Sequence, residues 1–327
     1  MKRREFITLV GGAAAGWPIA AGAQQAAMPV IGFLHAGAAR PTQAYIAAFR
    51  QALAESGYVE NQNVAIEHRY ADAQYERLPA LAADLVRRGV ALIVAVPSAN
   101  AVRAAKAASS TLPIVFLSSD NPVKLGLVAS LNRPGGNATG VNWFNAELGA
   151  KRLGLLRELL PAAARVGVLV NPTQEITDAF IKDLIAAAST INVQLQIAQA
   201  GNSDEIDAAF VSFVRDKADA LMVAPDTFFA NRYVQIVTLA TRHAIPAIYT
   251  VRAYVDSGGL MSYGTNLNDA YRQLALYTSR ILKGEKPADL PVVQLSTFDL
   301  IINLRTAKAL GLEVPPTLLA RADEVIE

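Results

Sequence analysis

Groups able to make or break bonds are sparse in this chain. It carries three histidines, His35, His68 and His243, each on a different predicted element, and no cysteine. Thiolate chemistry and disulfides are therefore both absent. No H-E-x-x-H pair offers zinc ligands, no G-x-S-x-G elbow presents a serine, and Gly135-Gly136-Asn137-Ala138-Thr139-Gly140 is neither a phosphate-binding loop nor a dinucleotide fingerprint. No catalytic residue, metal site or cofactor is expected. What remains is recognition chemistry. Asp120 and Asp226 can hold an ammonium group, while Ser98, Ser119 and Thr173, with backbone N–H groups, can hold a carboxylate, the two demands of an amino-acid zwitterion. Tyr249 and Tyr263 could add an aromatic wall, and Asn142 could bond a ligand or hinge backbone. Each has a plainer reading: Asp120 as a cap for a helix beginning near Pro122, Asp226 as a cap or solvated turn, Ser98 as a cap of its helix, most aromatic residues as core.

These residues fall where strands should end. Ile114-Val115-Phe116 is a β-branched and aromatic run without polar alternation, and Ser118-Ser119-Asp120-Asn121 follows it directly. A short helix is predicted beyond, through Leu125, Leu127, Val128 and Leu131. From Pro29 onward strands alternate with helices, the signature of parallel sheets with helices on both faces. Five loops, 35–40, 97–100, 118–121, 171–174 and 225–229, should sit at strand carboxyl ends, where open α/β sheets bind ligands. Helices are predicted over 42–56, 147–160, 173–189 and 229–243, with Ile176 on an aligned face and Ser203 capping another.

The two halves repeat one another. Ile31-Gly32-Phe33-Leu34 corresponds to Val166-Gly167-Val168-Leu169, residues 91–95 to 220–224, and Pro113-Ile114-Val115-Phe116 to Pro246-Ala247-Ile248-Tyr249. The fold class expected is α/β: two similar Rossmann-like lobes with parallel sheets flanked by helices, joined by a hinge of several crossings. Residues 28–143 with 266–296 form one lobe, and 144–265 with 297–327 the other. Such a hinge lets two rigid bodies close over a ligand.

At 327 residues the chain is long enough for two domains, and its net charge of +2 gives no footing for nucleic-acid binding. Lys2-Arg3-Arg4 precede an apolar run that ends Ala21-Gly22-Ala23, the pattern of an export signal of twin-arginine type cleaved near Ala23. Residues 1–23 are accordingly read as a signal peptide and the mature protein as periplasmic.

Four segments carry a family resemblance: SSDNPVKLGLVASLNRPGGNATGVN (118–142), KRLGLLRELLP (151–161), GGLMSYGTN (258–266) and the tail from Ile281 to Ile326. With them the chain resembles the extracytoplasmic solute-binding proteins of ABC transporters, and is similar to tryptophan-type binding proteins, over nearly the whole mature length. The resemblance implies a type I periplasmic-binding-protein fold, delivery of a small solute to a membrane ABC permease, and ligands that include amino acids, aromatic ones among them. The aromatic residues near the strand ends suit an aromatic or branched ligand, and a monomer is expected. Asp120-Asn121-Pro122 departs from the family, which usually reads Asp-Pro there. A ligand-sensing module for a membrane receptor and a secreted α/β enzyme are the alternative readings.

Overall fold

The computed structural model describes residues 28–327 apart from 144, 146, 147, 175 and 176. The signal segment 1–23, Phe144, Glu147 and Ile176 thus lie outside the described residues. The chain opens with β1 (Val30–His35), α1 (Ala39–Glu55), β2 (Ala65–Tyr70), α2 (Leu78–Arg87), β3 (Leu92–Val96), α3 (Ala99–Ala108), β4 (Ile114–Ser118) and β5 (Ala138–Asn142). It continues through α4 (Gly149–Leu159), β6 (Arg165–Val170), α5 (Thr177–Thr190), β7 (Gln194–Gln199), α6 (Ser203–Arg215), β8 (Ala220–Val223), α7 (Thr227–Asn231), α8 (Tyr233–Arg242), β9 (Ala247–Tyr249), α9 (Arg252–Asp256) and β10 (Met261–Thr265). The tail holds α10 (Leu267–Leu282), β11 (Val293–Gln294), β12 (Phe298–Asn303), α11 (Leu304–Ala309), α12 (Pro316–Leu319) and β13 (Glu324–Ile326).

Among the described residues the strands form two sheets, ordered β11-β5-β4-β3-β1-β2 and β13-β12-β10-β9-β8-β6-β7. The inner orders 5-4-3-1-2 and 10-9-8-6-7 are the same topology written twice. β3, β4 and β5 are buried along their whole length, as continuous apolar runs between two helix layers require. β2 lies at an edge and alternates: Ile66, His68 and Tyr70 face one way, while Arg69 faces the other and reaches Asp84 of α2 at 2.7 Å. The repeated glycine has a packing cause. A Cβ on Gly32 would stand 3.2 Å from Leu85 of α2, and one on Gly167 2.8 Å from Phe213 of α6, so at both positions a helix packs directly onto the strand.

Local expectations gave way in four places. The helix expected after Pro122 is a series of turns: Asn121 Oδ1 accepts the N–H groups of Val123 and Lys124, and Gly126 takes a left-handed conformation with φ 65°. Asn202, not Ser203, caps α6, its Oδ1 accepting from Glu205 N at 2.9 Å. The single helix expected over 229–243 is two, α7 and α8, meeting at Arg232, and α7 begins earlier because Asp226 caps it. The second sheet is mixed: β12 runs antiparallel to β10, because the chain leaves for the first lobe after β10 and returns from the opposite direction.

That excursion makes the hinge. α10 packs along α1 on the first sheet, and β11 joins that sheet's edge beside β5. The crossing segments are tied together: Thr265 Oγ1 donates to the Trp143 carbonyl at 2.7 Å, and Leu295 N to the Asn142 carbonyl at 2.9 Å.

Candidate functional site

The two lobes meet over a cleft of about 80 Å³, room for several waters' worth of ligand atoms. The first lobe supplies its wall from three strand ends: Tyr45 on α1 after β1, Ser98 after β3, and Ser119 with Asp120 after β4. The second lobe supplies Gln174 after β6, Asp226 and Asn231 after β8, and Thr250 after β9. Trp143 and Asn145 enter from the first crossing, and Tyr271 from α10.

The floor is aromatic. The rings of Tyr45 and Tyr271 lie 5.5 Å apart, and Trp143 is buried beside the same cleft. Burial pushes the Tyr45 phenol up to about 12 and that of Tyr271 higher still, so both rings are uncharged at neutral pH. No lysine or arginine lines the cleft among the described residues, whereas Asp120 and Asp226 do.

Asp226 is fully engaged. It caps α7 through Phe229 N at 3.0 Å and accepts from Asn171 Nδ2 at 3.1 Å, Gln174 Nε2 at 2.8 Å and the Tyr75 hydroxyl at 3.3 Å. Burial pushes its carboxyl upward, against the pull of those donors. Because Tyr75 follows β2, this cluster joins the lobes. A second bond does the same: Ala38 N donates to Asn231 Oδ1 at 3.3 Å. Gly37 leaves room for it, since a Cβ there would sit 3.1 Å from that oxygen. The lobes are closed on one another.

Four of the residues singled out from the sequence therefore stand on the cleft wall: Ser98, Ser119, Asp120 and Asp226. Ser98 also caps α3, accepting from Asn100 N at 3.1 Å, so its two readings coexist. For Asp120 the helix-cap reading lapses, as no helix follows it. The other four lie off the wall. Thr173 lines a neighbouring groove with Tyr75 and Asn100, and its hydroxyl donates to Asn171 Oδ1 at 2.8 Å. Asn142 is sealed within β5, between β4 and β11. Tyr249 points into the second lobe's helix layer, stacked on Tyr254 with ring centroids 4.5 Å apart. Tyr263 packs against Phe298. Strand side chains alternate between faces, and these tyrosines fall on the faces that helices or neighbouring strands cover.

Sequence reasoning missed Tyr45, Tyr271, Asn145 and Asn231, and it placed Gln174 only as part of the 171–174 loop. Tyr45 had a local signal, an aromatic residue within the first two turns of the helix that follows a cleft loop. Tyr271 had none, because its place depends on α10 returning to the first lobe. Two histidines described above as lying on separate elements prove to be neighbours: His35 and His68 stack across the β1–β2 ladder at 5.8 Å, His35 sandwiched between Phe33 and Tyr70. Among the described residues no group of acids and histidines could hold a metal ion, and no helix is long and apolar enough to cross a membrane.

Known proteins are similar to this chain in sequence and in fold. A tyrosine-binding protein of Clostridioides difficile (strain R20291) is 28% identical over 265 residues, 81% of this chain and 76% of that one. The structure of an ABC domain from Streptococcus pneumonia in complex with L-Trp is 26% identical, covers 91% of this chain and 99% of its own, and superposes with a TM-score of 0.83. The ligand-free, open structure of a substrate-binding protein with adhesive properties from Clostridium difficile is 27% identical at the same coverages, with a TM-score of 0.66. At nearly equal identity, the better fit to the liganded structure agrees with the interlobe bonds found here. The fold is that of type I periplasmic binding proteins, and the family and the homologues above are solute-binding proteins, not enzymes. Residues 39–326 match the family of ABC transporter substrate binding proteins, and the chain belongs to that family.

Proposed function

We propose that this protein is exported to the periplasm, closes its lobes over an aromatic amino acid and delivers it as a monomer to an ABC permease. The observation that carries the reading is the cleft itself: an uncharged aromatic floor of Tyr45, Trp143 and Tyr271 facing acidic and amide groups, shut by bonds between the lobes. An apolar wall with a few oriented polar groups suits a ring-bearing zwitterion. A relative named for tyrosine binding and a similar structure in complex with L-Trp point to the same ligand class. The moving bodies in this reading are residues 28–143 with 266–296 and residues 144–265 with 297–327, a division that sheet membership supports. Ser98, Ser119 and Asp120 are the contacts we assign from the first lobe. Asp226 acts in closure, since its acceptor positions are already occupied. Asp120 is then the carboxylate for the ammonium group.

A thermal-shift series on the mature protein tests this. A ligand at about 100 times its dissociation constant adds roughly 2.7 kcal/mol. L-tyrosine and L-tryptophan should raise the melting temperature, whereas aliphatic carboxylates and pentoses should not. A shift confined to the latter would sink the reading.

A further inference from the structure

The side chain of Arg152, on α4, is fully buried, and no carboxylate partners it among the described residues. Its donors go to backbone and amide oxygens: Nε to the Tyr263 carbonyl at 2.8 Å, Nη1 to the Asn145 carbonyl at 3.0 Å, and Nη2 to Asn145 Oδ1. Burial lowers its pKa to about 9, which still leaves it protonated at neutral pH. A buried charge with no carboxylate partner among the described residues is costly and needs a reason. Asn145 supplies one. It lines the cleft, and with Oδ1 committed to Arg152, the planar amide has only Nδ2 left to offer a ligand. Two more donors on the same wall, Trp143 Nε1 and Asn231 Nδ2, are buried without partners among the described residues.

We infer that the ligand's carboxylate is held at the first crossing by Asn145 Nδ2, with Arg152 as the positioning residue that fixes the amide and sets a positive charge directly behind it. This rests on the amino-acid reading above and deepens it. It also accounts for how a cleft whose wall carries acids and no cation accepts an anion: the cation is one residue back, out of reach of water. Placed there, it attracts the carboxylate through a polarised amide without presenting a charged surface to the aromatic floor.

Isothermal titration of L-tyrosine and of tyramine, its counterpart without the carboxylate, tests this in the wild type, Asn145→Ala, Arg152→Lys and Arg152→Met. Wild type should bind L-tyrosine well and tyramine far more weakly. Asn145→Ala should weaken L-tyrosine about 10- to 100-fold, the range for a hydrogen bond to a charged group, and tyramine less than about twofold. Arg152→Met should match Asn145→Ala, and Arg152→Lys should lose less. Should the Arg152 variants fail to fold by circular dichroism, the Asn145 comparison decides alone. Equal weakening of both ligands in Asn145→Ala, or wild-type tyramine binding as tight as L-tyrosine, overturns the carboxylate site while leaving the aromatic reading intact. Wild type that binds neither L-tyrosine nor L-tryptophan overturns both.

Discussion

Tyr75 donates its hydroxyl across the cleft to Oδ2 of Asp226, 151 residues away and in the opposite lobe, at 3.3 Å. Gln174 Nε2 braces both, at 2.7 Å from the tyrosine oxygen and 2.8 Å from the carboxylate. The two bonds to Tyr75 exist only while the lobes are together, so they belong to the closed state and not to the stability of either lobe, whereas the bond from Gln174 to Asp226 lies within the second lobe.

Tyr75→Phe should therefore weaken aromatic amino-acid binding about fivefold, corresponding to about 1 kcal/mol for one hydrogen bond, chiefly by faster dissociation. Stopped-flow fluorescence and calorimetry check this, and the melting temperature without ligand should stay unchanged.

Asp120→Ala should abolish the thermal shift produced by amino acids while the unliganded protein remains folded. No helix depends on Asp120 for its cap, so the loss falls on the ligand's ammonium group. Retained binding would hand that role to another group on the wall.

Gly264 sits in β10 with its missing Cβ pointing at backbone: an added methyl would stand 2.1 Å from the Thr250 carbonyl oxygen. Backbone held in a sheet cannot yield, so Gly264→Ala should cost about 2 kcal/mol or more and lower the melting temperature by about 5 °C. Gly154, exposed within α4 with no atom near its Cβ position, is the opposite case. Gly154→Ala should stabilise by about 0.5–1 kcal/mol. Differential scanning calorimetry of the pair checks both signs.

His35 is fully buried, and neither ring nitrogen has a partner among the described residues. Burial first, and the neighbouring His68 second, hold its pKa well below the ordinary 6.5. The folded protein then declines a proton that the unfolded chain accepts as the pH falls through 6.5. Stability should drop from there down to the folded pKa, at no more than about 1.4 kcal/mol per pH unit for this one proton. His68, shifted the same way by its own burial, adds to the slope. His35→Leu should flatten the loss of melting temperature between pH 7.5 and 5 and, by removing an unsatisfied buried polar ring, cost little at pH 7.5. An unchanged slope in the variant would acquit His35.

Much of the scaffold was legible in the residues themselves. Strands such as Ile114–Ser118 and Ala247–Tyr249 announce themselves as unbroken apolar runs because both their faces are covered, and the repeated order of such runs is the duplication of the lobes. The acids and hydroxyls of the first lobe could be assigned to the cleft because chain direction in a parallel sheet puts every strand's carboxyl end on one edge. Tertiary structure decided what depends on distant partners. Gly126 and Asn121 turned a predicted helix into turns, and the return of α10 carried Tyr271 into the cleft. Alternation at the strand ends turned Tyr249 and Tyr263 away from it, and the docking of α4 beneath the crossing set Arg152 behind Asn145. Periodicity along a chain reports which faces are buried; it does not report which buried face meets the other lobe, since that contact forms between residues more than a hundred positions apart.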